Sequence, residues 1–155
     1  MRRAGTLVLA ALLAFAGLAA HAQLLQRFET STLTIATANG DKPFTVELAI
    51  TPSQQEQGLM FRRELAPDAG MLFILPQVQP AVFWMKNTLL PLDMLFIAAD
   101  GRIADIHERA VPLSEANIVS KVPVKAVLEL NGGTVARLGI KPGDVVHHAM
   151  FGTAG

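Results

Sequence analysis

Apolar and polar residues alternate along the first regular stretch of the chain. Leu33 and Ile35 are interleaved with Thr32, Thr34 and Ala36 over residues 31–37, and Phe44, Val46, Leu48 and Ile50 repeat the pattern over residues 44–50. A period of two puts the apolar set on one face of a half-buried strand. Asn39-Gly40-Asp41 between the two runs is a turn signal, so the pair predicts a β-hairpin. The period then changes at Thr51-Pro52, which supplies a helix N-cap and a proline for the first helical position. Gln54 to Gln57 continue a helix that Gly58 ends. A helix of about two turns is stable only when docked on other structure. Beyond it, short runs rich in branched or aromatic residues occupy 71–75, 82–86, 92–97, 102–108, 125–130 and 145–150. Asp100-Gly101 and Lys141-Pro142-Gly143-Asp144 punctuate them, the second in the order a type II turn requires. A further helical turn is predicted over 134–138, closed by Gly139.

Around eight short strands with one or two short helices predict a mainly β fold: a single-domain antiparallel β-sandwich or barrel over residues 31–151, with a tail at 152–155. Residues 23–30 show no clear period and read as a flexible terminus.

The first 22 residues change the picture of where this domain works. Arg2 and Arg3 precede an uncharged apolar run over 7–20, and Ala20-His21-Ala22 has the small-x-small form of a signal peptidase site. The run is short of the roughly 20 residues that cross a bilayer. The expectation is a signal peptide cleaved after Ala22, a periplasmic or secreted location, and no transmembrane segment in the mature protein. Removing 22 of 155 residues leaves 133, enough for one core. Lys plus Arg falls from 13 to 11 while Asp plus Glu stays at 13, a net charge near −2 that offers no footprint for nucleic acid. The chain has no cysteine, which excludes disulfides, thiol chemistry and a lipoprotein anchor.

Several motifs follow one another in a recognisable order. Gly58-Leu59-Met60-Phe61-Arg62, Leu65, Gly70-Met71-Leu72-Phe73, Phe83-Trp84-Met85-Lys86-Asn87-Thr88, Leu92-Asp93 and Leu128-Glu129-Leu130 with Gly132 or Gly133 resemble the bacterial and archaeal family called domain of unknown function 192. The resemblance runs from about Leu33 to Val146. It implies a compact, mainly β sandwich, often exported, with no established reaction.

Polar residues inside the apolar strands carry the candidate chemistry. As a strand, 83–88 would place Trp84, Lys86 and Thr88 on one face and Phe83, Met85 and Asn87 on the other. Asp93 would share a face with Leu95 and Ile97, and Glu129 with Val127. Charges cannot be buried alone without a cost of several kcal/mol. One expectation is therefore a mutual network, with Lys86 reaching Asp93 or Glu129 and Arg62 or Arg63 serving the other carboxylate, which would fix strand register.

The other expectation is a ligand site of Arg62, Trp84, Lys86, Asn87, Asp93 and Glu129. There Trp84 stacks on a small polar or saccharide ligand, Lys86 and Arg62 attract acidic groups, and Asn87 orients the ligand. This reading makes the protein a non-catalytic binding or accessory module, with no cofactor and no metal, whose other partner would be an envelope protein. Two alternatives use different chemistry. Asp93 and Glu129 as an acid and base would make a carboxylate-based envelope hydrolase. Met60, Met71, Met85 and Met94 with histidines would bind Cu(I) in the periplasm, although methionines in apolar strands more often fill core gaps. No serine sits in a nucleophile elbow.

Overall fold

The computed structural model describes residues 25–153. The predicted signal peptide and the final two residues of the tail lie outside them. Nine strands and two helices follow in the order β1 (Glu29–Thr37), β2 (Gly40–Ala49), α1 (Pro52–Gln57), β3 (Ala69–Gln79), β4 (Val82–Phe83), β5 (Leu92–Ile97), β6 (Ile103–Ala110), β7 (Ile118–Val119), β8 (Val124–Asn131), α2 (Thr134–Leu138) and β9 (Val145–His147). A 3-10 turn at Ala149–Phe151 ends the regular structure. Seven strands form one sheet in the order β6-β5-β8-β3-β2-β1-β9, and β4 pairs with β7 apart from it.

The mainly β expectation and the opening hairpin hold, with Thr37 paired to Gly40 across the tight turn. One pairing departs from the antiparallel pattern. β2 and β3 run parallel, joined by α1 as a crossover. The helix begins as its sequence predicts: the Thr51 hydroxyl accepts from the Gln54 N–H at 3.3 Å, and the Gln54 side chain accepts from the Thr51 N–H at 3.0 Å.

The sheet curls into a half-barrel. Its two edges meet at one end, where Arg102 bridges to Val145 and the Ile103 N–H donates to the Asp144 carbonyl at 2.9 Å. Leu33, Ile35, Val46, Leu72, Leu95, Leu128 and Leu130 pack inside the curl. The opposite face is covered too. Met71, Phe73, Met94, Phe96 and Val127 pack beneath Leu59, Ala81 and Met85 of the overlying segments. Burial on both faces explains why β5 and β8 read as continuous apolar runs rather than alternating ones.

The stretch 82–88 is not one strand. Only Val82–Phe83 pairs, with Ile118–Val119, and the chain then turns through Asn87 at φ +53°. The turn is tied down by the Asn87 carbonyl accepting from the Phe61 N–H at 2.8 Å, by the Thr88 N–H donating to the Met85 carbonyl at 3.1 Å and by the Met85 N–H donating to the Ser114 carbonyl at 2.8 Å. Trp84 and Lys86 still lie outside Phe83 and Met85, but Thr88 is buried and Asn87 exposed, the reverse of what a continued strand requires.

Candidate functional site

The two carboxylates within the apolar strands face opposite sides of the same sheet. Asp93 pairs with Leu130, and Glu129 with Met94, in the β5–β8 register. Leu130 belongs to the core inside the curl and Met94 to the core outside it. Asp93 is 0% exposed. One of its oxygens accepts from the backbone N–H of Arg109 at 2.9 Å and of Gly133 at 3.0 Å, and the other from Val135 at 2.8 Å. The residue preceding α2 is Gly133, which offers no side chain to cap the helix, so Asp93 caps it from across the sheet. The same carboxylate anchors the end of β6, where Arg109 has φ +51°. Leu92-Asp93 and Gly132-Gly133 belong to one structural device.

Glu129 has no such partners. Its side chain has no hydrogen-bond or ion-pair partner among the described residues, and burial pushes its carboxyl from 4.5 up to about 8. It is 4% exposed. No side-chain oxygen among the described residues is both sealed and unpartnered, so that residual exposure includes the carboxyl oxygens. They open onto a cavity of about 30 Å³ between the end of α1 and the 83–88 turn. Phe73, Phe83 and Trp84 form its aromatic wall, and Thr88, Met60 and Gln57 also line it. Phe73 and Phe83 meet edge to face with ring centroids 5.0 Å apart. A wider groove of about 260 Å³ continues from the same three rings along Leu75, Gln79, Pro80 and Val82. Gly58 lets α1 come this close, because a Cβ at its φ of +46° would stand 3.0 Å from the Phe73 ring.

Trp84 is 41% exposed and forms the lip. The Lys86 ammonium lies 5.0 Å from its ring centroid, a cation–π contact. Asn87 does not line the cavity, and its Nδ2 lies 3.9 Å from the sulfur of Met60, which does. Arg62 is drawn elsewhere: it is ion-paired with Glu47 and lies over the Phe28 ring at 5.7 Å.

The expected mutual network is therefore corrected. Asp93 is satisfied by backbone donors, Arg62 by Glu47, and Lys86 by the indole, while Glu129 stands alone. The structure brings together Trp84, Lys86 and Glu129, with Asn87 at the edge, and separates Asp93 and Arg62 from them. Sequence reasoning missed Gln57, Thr88, Phe73 and Phe83 as lining residues. Thr88 carried a signal as the polar end of the Trp84 motif, and Gly58 another as the stop that sets the end of α1 against Phe73.

The arrangement bears on the other chemistries. An acid and base pair cannot act across one scissile bond from opposite faces of a sheet. Met71, Met85 and Met94 are fully buried in the outer core, and no group of three or more His, Asp or Glu side chains among the described residues is placed to hold a metal ion. A wider depression of about 570 Å³ at the far end of the sheet is lined by Ser31, Asp41, His147 and His148. There His148 Nδ1 accepts from the Met150 N–H at 3.2 Å, so Nε2 carries the proton and donates to Ser31 Oγ at 2.9 Å. Burial holds the His148 imidazole below its ordinary value, in the neutral form. A histidine that donates to a serine cannot also take its proton.

Comparison with known proteins supports the resemblance noted from the motifs. The model of the domain of unknown function 192 (DUF192) family, described as "Uncharacterized ACR", matches residues 34–148. A crystal structure of a protein named as a proposed transcription regulator from Sinorhizobium meliloti 1021 is 56% identical, with a TM-score of 0.79, covering 81% of this chain and 98% of that one. A protein of unknown function from Novosphingobium aromaticivorans DSM 12444 is 44% identical, with a TM-score of 0.75, covering 77% and 85%. No curated protein matches the chain.

Proposed function

The chain belongs to the DUF192 family, and for this member we propose an exported, non-catalytic binding module that takes one small polar group of its ligand into the Glu129 cavity beneath Trp84. The observation that carries this reading is the Glu129 carboxyl, buried without a partner among the described residues and opening onto a cavity. An unpartnered buried acid destabilises a fold, and a ligand that hydrogen-bonds it recovers the cost. The aromatic wall gives the ligand an apolar surface, and the exposed Trp84 ring gives it a stacking face. Lys86 is part of the lip rather than the floor. The acidic ligand expected from Lys86 and Arg62 has no support here, because Arg62 is committed to Glu47.

The regulatory role in the Sinorhizobium relative's name stays with that protein. A net charge near −2 after removal of residues 1–22 does not favour nucleic acid as the partner of this chain.

Intrinsic fluorescence tests the reading directly, because Trp84 is the only tryptophan in the chain. Residues 23–155 are titrated with small polar compounds, saccharides and amines among them. A saturable change in emission that Glu129→Gln weakens at least tenfold, with the variant still folded, supports the site. Binding that Glu129→Gln leaves intact would place the ligand elsewhere.

A further inference from the structure

The reading above leaves the ligand's chemistry open, and the hydrogen-bond accounting around the cavity narrows it. Of the polar side chains that line it, most present acceptors. The Thr88 hydroxyl spends its proton on the Lys86 carbonyl at 3.1 Å, which leaves only lone pairs for a ligand. The Gln55 amide nitrogen donates to the carbonyls of Ala49 at 3.2 Å and Ile74 at 2.8 Å. Met60 contributes a thioether, and Glu56 a second carboxylate at the exposed mouth. The remaining side-chain donors are the Gln57 amide and the Trp84 indole N–H. Among the described residues, no lysine or arginine lines the cavity.

Resting on the proposed binding site, we infer that the inserted group is a primary ammonium on a slim alkyl stem, with Glu129 as its counter-ion. An ammonium is a donor-only group with three N–H bonds, the complement of an acceptor-rich pocket. A volume of about 30 Å³ suits a small inserted group such as an ammonium. The walls suit a cation as well, since aromatic faces attract it, and the Lys86 ammonium already occupies one side of the Trp84 ring. The groove along Leu75, Pro80 and Val82 would receive the stem.

Charge balance makes a second demand. Glu129 holds its proton in the empty pocket, so forming the ion pair releases one proton to solvent, and binding tightens as pH rises toward 8. The other titratable groups on this side of the sheet are Glu56 at the mouth, Lys86 on the indole and, two strands away in the same cross-strand row, Glu47 with its partner Arg62 on one side and His107 on the other. Its cross-strand neighbours Met71 and Met94 do not titrate.

The test follows Trp84 emission in residues 23–155 on titration with n-pentylamine, n-pentanol, a lysine-containing tripeptide and a neutral disaccharide, at pH 6 and pH 7. The amine is expected to bind about tenfold more tightly at pH 7 than at pH 6. Pentanol should bind far more weakly, and Glu129→Gln should lose both amine binding and its pH dependence while melting as a folded protein. The tripeptide arm distinguishes a lysine side chain from a free amine as the source of the ammonium. Equal binding of pentanol or the disaccharide without pH dependence would overturn the ammonium and keep the binding site. Silence from every compound would overturn both.

Discussion

Asp93 and Glu129 lie one strand apart, in β5 and β8, and have opposite fates. Both are buried acids in apolar strands, yet Asp93 collects three backbone N–H donors and Glu129 none among the described residues. The difference comes from what lies above each face. Inside the curl, the start of α2 and the end of β6 bring orphan N–H groups to Asp93. On the other face, Glu129 meets the spent, carbonyl end of α1 and an aromatic wall. A buried carboxylate with three donors is a structural part. One with none is a cost that a ligand can offset.

That contrast can be broken from either side. Asp93→Ala should have the largest effect, because it leaves three buried N–H groups unpaired at about 1 kcal/mol or more each. The expected loss is at least ~3 kcal/mol in urea unfolding, with a melting point lower by roughly 10 °C. A loss below about 1 kcal/mol would mean that Asp93 caps nothing.

Glu129 should act in the opposite sense. Its carboxyl is raised from 4.5 to about 8 in the folded state. Below pH 4.5 both the folded and the unfolded chain hold the proton, and Glu129 imposes no ionisation penalty. Between 4.5 and 8 only the unfolded chain gives the proton up, so stability falls as pH rises through that window, by about 1.4 kcal/mol per unit. The difference in unfolding free energy between the protein and Glu129→Gln should therefore change by about 3 kcal/mol from pH 5 to pH 7.5, in favour of the variant at the higher pH. A constant difference would show a solvated carboxyl.

Smaller effects sharpen the account of the cavity. Gly58→Ala meets the Phe73 ring and an unfavourable φ, and should cost about 1–2 kcal/mol while weakening ligand binding. Lys86→Met removes only the cation from an exposed indole, about 0.5 kcal/mol, and should shift Trp84 emission without unfolding the protein.

Much of this architecture could be read from the residues. The hairpin, the capped α1, the α2 turn closed by Gly139 and the runs of β5 and β8 all follow from local period and turn chemistry. The 82–88 segment misled because a period-two pattern does not reveal a left-handed Asn87, which takes its place through the contact with Phe61. The two-residue β7 is too short to leave a pattern, and the parallel β2–β3 pairing depends on where α1 docks. The candidate residues could be named, but not paired. Parity along one strand puts Asp93 with Leu95 and Glu129 with Val127, whereas the opposition of their faces follows from the register that sets Asp93 beside Leu130.

The account rests on Glu129 being a protonated, unpartnered acid, and the titration of its side-chain carboxyl followed by carbon NMR tests that most directly. With Glu129→Gln identifying the resonance, the midpoint should lie near 8 and fall when an alkylamine is added. A midpoint near the ordinary 4.5 with no ligand present would contradict the buried site.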